Sequence, residues 1–392
     1  MSLGKFTSGI DIGTITTHVS VVKDGRVVSV PSASGKVGFP TLVAFEDTKC
    51  LVGETALKYA TKEDCIFKLY KKIPVKVDND SKHPVPEDVN IKFMGKTQRF
   101  KVWEMVAAIL AQAKKDAERF LGERIKGAVI TVPSHFNSTQ RRAMIKAAFI
   151  ANLPVERLLN RTSALMIGNC LELDGYYVII DFGNTWFQVT VMSREAGEIH
   201  VLKDDSIEIG GQSFIIRLML YYSSLLANQC NFNVMSDKVE FTKLKSACEK
   251  AKIDLDFFNE AFVQYHTLEH FISFKIKRKK FEELCASEIK KITEFFYNNA
   301  LCFKFPIEDF IGVIIAGQSS RMHCFRDLIQ YSFPKTHKII ADDSTVAHGA
   351  AQLHNGNLKQ SMRNLSILFP LSLTQILFMC FYLKESSFRL WK

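Results

Sequence analysis

"IIDFGNTWFQVTVM" runs from Ile179 to Met192. An apolar run carries into Asp181, one further apolar residue and Gly183, and a second alternation follows at Phe187, Val189 and Val191. That pattern predicts strand, tight turn, strand. The same figure occurs earlier in the chain. Asp11-Ile12-Gly13 is followed by Val19-Ser20-Val21, and Asp181-Phe182-Gly183 by Val189-Thr190-Val191, an offset of 170 residues at both ends. Two copies of an acidic strand–turn–strand unit suggest two similar lobes facing one cleft. Backbone amides of such turns cradle phosphates. Paired Asp11 and Asp181 would hold a hydrated Mg²⁺, which favours carboxylates and keeps several waters. The second turn is odd in one respect: Trp186 stands where a phosphate turn calls for a small residue.

The bulk numbers fit a globular protein. The chain has 392 residues, enough for one large or two medium domains. An apolar fraction of 47% with 31 Phe argues against disorder. Nine cysteines are scattered without a C-x-x-C pair. That reads as reduced thiols in a cytoplasmic protein. The opening "MSLGKFTSGIDIG" has no apolar signal-peptide core. A formal charge of +10 fits either an acidic partner such as RNA or plain solvated Lys on surface helices.

Strands and helices alternate along the chain, which sets the class as α/β. Residues 8–31 read as a strand pair with "KDGR" as the hairpin turn. "VWEMVAAILAQAKKDAERFLGERI" reads as a helix ending near Gly122. "GAVITVP" is a buried strand stopped by Pro133, and Asn137 or Ser138 caps the helix after it. Residues from about 212 to about 300 read as a mainly helical zone. "FIGVIIAGQSS" is a strand entering a Gly turn, and "TVAHGAAQLH" opens a small-residue helix.

Nine segments carry a wider likeness: "GIDIGT", "LVGETA", "AVITVPSHFNSTQRRA", "ERLLNRTSAL", "IGGQSF", "LKSACEKAK", "KKFEEL", "AGQSSR" and "VAHGAA". In this order and spacing, from about Ser8 to Gly356, the chain resembles the nucleotide-binding domain of the Hsp70 chaperones, of the actin-like ATPase superfamily. The resemblance implies a two-lobed fold with duplicated ribonuclease H-like cores. It divides the chain into a nucleotide-binding domain at about 1–360, with lobe I about 1–174 and lobe II about 175–360, and a linker-like segment at 361–392. It also implies ATP or ADP between the lobes. Gly13, Thr14, Gly183, Gly210 and Gly211 match its phosphate-side positions. Glu249, Lys252, Gly317, Ser319, Arg321 and Asp343 match its nucleoside side. Gln318 and Ile253 depart from it. Asp11 and Asp181 match the catalytic pair, which holds Mg²⁺ through water.

Other catalytic positions are replaced. Where the family has a Lys that contacts the γ-phosphate, the ungapped match through "CIFKLYKKIP" gives Tyr70, with Lys68, Lys71 and Lys72 as neighbours. A metal-side Glu is Arg161, a γ-phosphate Thr is Trp186, and an acidic residue is Gln188. Phosphoryl transfer rests on positioning and charge stabilisation. One lost group of that kind costs ~10²–10³ in rate. Weak or Mg²⁺-independent nucleotide binding, or none, is therefore expected. Trp186 would fill the pocket, and Arg161 would pair with a β-phosphate or with Asp181 in place of the metal.

The family continues with a linker and a peptide-binding β-sandwich. Here "RNLSILFPLSLTQ" looks like the linker and a first strand, and too little chain follows for a sandwich, so peptide binding of that kind is not expected. Leu365 to Leu383 is uncharged over 19 residues but carries Pro370 and several polar residues, so a membrane span is not expected either. "FKIKRKKF", with five basic residues in six, would touch RNA or a ribosome, or is a solvated edge. Arg157 matches a position near the family's J-protein surface, and a J-protein or nucleotide-exchange co-chaperone is the implied partner. His135 and His348 read as packing positions, and Cys248 as a buried, inert thiol. The alternative is a non-catalytic interaction protein with this shape.

Overall fold

The computed structural model describes residues 5–46, 49–59, 65–66, 88–93, 96–169, 173–230, 234, 237–266, 271–301 and 306–353. Tyr70, Lys68, Lys71, Lys72, the linker-like segment and the apolar stretch 365–383 lie outside them.

Lobe I is built on β1 (Phe6–Ile12), β2 (Thr16–Lys23) and β3 (Arg26–Ser29), with the short β4 (Phe39–Pro40) paired to β2. The residues read as one strand pair make three strands, because the Gly13–Thr16 turn and the "KDGR" turn each reverse the chain. Asp24 and Gly25 both have positive φ, 51° and 75°, the backbone that a two-residue hairpin turn requires. A small three-stranded sheet comprises β5 (Val43–Glu46), β6 (Lys49–Val52) and β7 (Cys65–Ile66), with α1 (Glu54–Leu57) beside it. Then come the hairpin β8 (Asp88–Phe93) and β9 (Lys96–Lys101), α2 (Val102–Leu121), β10 (Ile125–Val132), α3 (Ser138–Ile150), β11 (Val155–Asn160) and α4 (Arg161–Gly168). Gly122 closes α2 with φ 72°. Asn137 caps α3 reciprocally with Gln140: each side chain accepts the other's backbone N–H at 2.9 Å.

Lobe II repeats the core. It runs β12 (Gly175–Phe182), β13 (Phe187–Glu195), β14 (Glu198–Ile207), α5 (Gly211–Cys230) and α6 (Lys238–Phe257). The hairpin β15 (Glu260–His266) and β16 (Phe271–Lys277) follows, then α7 (Arg278–Leu284), α8 (Ala286–Ala300), β17 (Phe310–Ala316), α9 (His323–Ser332), β18 (His337–Ile340) and α10 (Thr345–Gln352). The hairpin β15–β16 corrects the helical reading of 212–300. Ala261, Val263 and Tyr265 are buried while their neighbours in β15 are exposed, a period of two. The aromatic density of "FVQYH" and "FISF" hid that period in a helix-length window.

The two main sheets share one topology. Lobe I orders its strands β11-β10-β1-β2-β3, and lobe II β18-β17-β12-β13-β14. In each, the first three named are parallel and the last two antiparallel. The 170-residue repeat thus supplies the equivalent central hairpins β1–β2 and β12–β13. This is the duplicated core of the actin-like ATPase fold.

The lobes are joined by α4 and α10, which cross through small residues. A Cβ placed on Gly349 would lie 1.9 Å from the Ala164 carbonyl oxygen, and one on Gly168 2.3 Å from that of Thr345. The "TVAHGAA" composition is thus a requirement of close helix approach. Gly349→Ala should push the helices apart and cost about 1–3 kcal/mol. Urea unfolding reads this, and an unchanged midpoint would contradict the packing.

Candidate functional site

The two repeat turns face each other across a cleft of about 300 Å³. They have the same internal geometry. The N–H of Gly13 donates to the Thr16 carbonyl at 3.0 Å, and the N–H of Gly183 donates to the Trp186 carbonyl at 3.0 Å. The second turn is seated by Gly210 and Gly211. The Gly211 N–H donates to Gly183 O at 3.1 Å, and a Cβ on Gly210 would lie 2.4 Å from the Asn184 backbone. Gly317, at φ 83°, packs against the Phe182 carbonyl, where a Cβ would meet it at 2.3 Å. Gly210 and Gly317 are needed for backbone approach whether or not a ligand is bound.

Asp11 and Asp181 are the next-to-last residues of β1 and β12, so the shared topology brings both to the floor of the cleft. Between them lies Arg161, the first residue of α4. Its Nε donates to Asp181 Oδ2 at 2.9 Å, and a terminal guanidinium nitrogen donates to Asp11 Oδ1. Thr131 adds a hydroxyl to Asp11 at 2.5 Å. Burial opposes the charge on Arg161, but the two carboxylates outweigh it and hold the guanidinium above its ordinary pKa. The two aspartates thus already share one fixed cation. Of the two partners expected for Arg161, a β-phosphate or Asp181, the contact with Asp181 is present, and the bridge to Asp11 is additional.

Trp186 projects from the second turn and stacks on His135 of lobe I, with ring centroids 4.0 Å apart and planes at 29°. His135 is therefore a packing residue, as its position suggested. Burial, with Arg141 nearby, outweighs the carboxylates of Asp204 and Glu208 and pushes its pKa down to about 4. Ser206 Oγ lies 3.3 Å from its Nδ1. Gln188, opposite Asp181 in the β12–β13 register, donates to Asp204 Oδ1 at 2.7 Å and to Ser134 Oγ of lobe I. Its amide is spent on a protein network.

The nucleoside-side candidates line the same cleft. Glu249 and Lys252 lie on α6, and Ser319 and Arg321 follow Gly317 in a 3₁₀ turn. Lys252 is buried. Gln318 donates to Asp343 Oδ2 at 3.1 Å across the rim. Thr14 and Gly13 line the opposite wall. Cys248 is fully buried, and burial pushes its thiol up to about 12, in keeping with an inert role. His348 lies 2.7 Å from Ser29 Oγ and 3.3 Å from Ser344 Oγ, a structural position at the α10 surface. Arg157 sits half-buried on β11 opposite Val129.

Three cleft residues escaped the sequence reading. His18 pairs in register with Asp11, and its pKa is lowered by burial. The register was legible from the hairpin. Asp256 lies one helical turn beyond Lys252, and Asp342 precedes Asp343. Neither carried a motif. The basic stretch 275–280 is partly committed to structure. Arg278 donates to the carbonyls of Leu255 and Phe258, and Lys275 pairs with Glu260 at 2.6 Å.

A family model described as "Hsp70 protein" matches residues 7–376. The chain belongs to the Hsp70 family. It is similar to the "Heat shock cognate 70 kDa protein 3" of Dictyostelium discoideum, at 30% identity over 88% of this chain and 59% of that protein. It is also similar to the "Heat shock 70 kDa protein" of Emericella nidulans, at 29% identity over 88% of this chain and 57% of that protein. The chain thus spans under two thirds of the length of these Hsp70 relatives. Among the described residues, no helix is long and apolar enough to cross a membrane.

Two outcomes follow from this geometry. Arg161→Leu leaves Asp11 and Asp181 facing each other without a cation and should cost about 3–5 kcal/mol in urea unfolding; a loss under about 1 kcal/mol would mean that the bridge contributes little. His135 binds its proton more weakly folded than unfolded. Its contribution to stability is full above pH about 6.5 and is lost as pH falls towards 4. His135→Phe should flatten that part of the pH–stability curve, and an unchanged slope would contradict it.

Proposed function

We propose that this Hsp70-family domain holds an adenine-containing ligand in the cleft, does not turn over Mg²⁺-ATP, and acts in protein folding as a partner of other chaperone components. The observation that supports this is the Arg161 guanidinium bridging Asp11 and Asp181. A Mg²⁺ held through water by those carboxylates would sit against a fixed positive charge, so the residues present do not fit the ion. ATP or ADP remain the ligand class that family membership suggests, bound without the metal.

What the chain's own residues do follows from that. Arg161 engages one oxygen of each carboxylate and offsets part of their charge, which weakens their hold on waters around a metal. Trp186 and His135 close the phosphate end with an apolar stack. Gln188 is a neutral amide already engaged by Asp204 and Ser134, so it cannot take a proton from an attacking water as a carboxylate would. Glu249, Lys252, Arg321 and Asp343 provide polar groups for a base and ribose. Groups that act as a unit in catalysis lose nearly everything when one is lost.

On this reading the chain is an interaction protein with an Hsp70 shape, cytoplasmic, meeting a J-protein or exchange-type co-chaperone. A ribosome or RNA contact through residues 275–280 is the weaker reading, because Arg278 and Lys275 are already engaged.

Single-turnover assays with Mg²⁺-ATP, with and without a J-protein, test the proposal. The expected result is a rate at background that Asp181→Ala leaves unchanged. A Mg²⁺-dependent rate abolished by Asp181→Ala would restore the ordinary chaperone ATPase.

A further inference from the structure

We infer that the cleft takes an uncharged purine nucleoside in preference to any of its phosphates. This rests on the adenine reading above, and it names which form of the ligand the cleft is built for.

Charge is the first observation. Among the described residues, six carboxylates line the cleft: Asp11, Asp181, Glu249, Asp256, Asp342 and Asp343. Three cations oppose them among the described residues: Arg161, Lys252 and Arg321. The formal excess of this described lining is three negative charges, in a chain whose total is +10. Burial raises the pKa of Asp256 despite the nearby Lys252, and its protonation would still leave an excess of two. The sign of the described lining is thus opposite to that of the protein, and wrong for a polyphosphate unless a metal accompanies it.

The second observation concerns the cation nearest the turns. Arg161 divides its charge between two carboxylates, so the group Asp11–Arg161–Asp181 carries a net negative charge. It presents no unspent positive charge to a phosphate.

The third is steric. Trp186 and His135 stack from opposite lobes at 4.0 Å and span the place beside the second turn where a terminal phosphate would enter.

The fourth is the remaining surface. Ile15, Ile253 and Phe257 line the cleft with 45%, 48% and 64% of their surfaces exposed. Large apolar side chains left bare around a concave site suit a flat heterocycle laid against them.

The test is isothermal titration of the full chain with adenosine, AMP, ADP and ATP, each with and without Mg²⁺. Adenosine should bind tightest. Affinity should fall about tenfold per added phosphate, the effect of a like charge roughly 10 Å away at an effective dielectric of about 20. Mg²⁺ should not reverse the order, and raised salt should narrow the series. ADP or ATP binding more tightly than adenosine, or equal affinity across the series, would overturn the inference and leave the adenine reading standing. No heat from any of the four ligands would overturn both.

Discussion

Two carboxylates brought together by an internal repeat need a cation between them, and in this protein the cation is Arg161. The fold makes the demand. Equivalent hairpins in two equivalent sheets end in Asp11 and Asp181, and the lobes close so that both point into one space. Left alone, two like charges in a largely buried site would oppose closure. A guanidinium supplies charge and directed donors at once, and its planar fork serves two acceptors in fixed geometry. Arg161 opens α4, the helix that crosses α10 between the lobes, so the charge is delivered from that crossing. A soluble metal ion comes and goes with its ligand; a side chain does not.

The other contacts across the cleft share this permanence. Trp186 of lobe II stacks on His135 of lobe I, and Gln188 of lobe II donates to Ser134 of lobe I. Each replaces a group that the family resemblance assigns to nucleotide chemistry with one that joins protein to protein. The replacements are chemically consistent with one another. A cation bridges the acids, an aromatic pair fills the phosphate end, and an amide joins a Ser134–Asp204 network. Together they tie the lobes at three points that need no ligand. That is a physical basis for the proposed role, in which the domain acts by its shape and not by turnover.

The acidic cleft in a basic protein follows from the same change. In a cleft designed around a metal–polyphosphate, an excess of carboxylates is balanced by the bound ion. Here the carboxylates remain while one cation has become part of the chain and is shared by two of them. The excess negative charge therefore persists, and it selects against phosphates. Lys252, buried beside Asp256, does not alter the sign.

Much of this was legible in the sequence. Alternation at 8–31, 176–183 and 186–192, a helix cap at Asn137 or Ser138 and the glycines at Gly25 and Gly122 are local, and local chemistry sets them. The repeat of Asp-x-Gly at an offset of 170 residues announced two lobes and one cleft. It brought Asp11 and Asp181 to one cleft, and the Hsp70 resemblance put Arg161 and Trp186 beside them. The β15–β16 hairpin was missed because aromatic residues on both of its faces blur a period of two. Asp256, Asp342 and His18 were missed because burial and facing partners, not neighbours in sequence, give them their character. What the sequence alone determined is where Asp11, Asp181 and Trp186 sit along the chain, since each lies at or beside a turn set by its own neighbours. Only the tertiary structure decided how those groups are spent: Arg161 on two acids at once, Trp186 on His135, Gln188 on Ser134. Each partner comes from a different sheet or lobe, and distances of that kind exist only after the two halves have packed through Gly349 and Ala164.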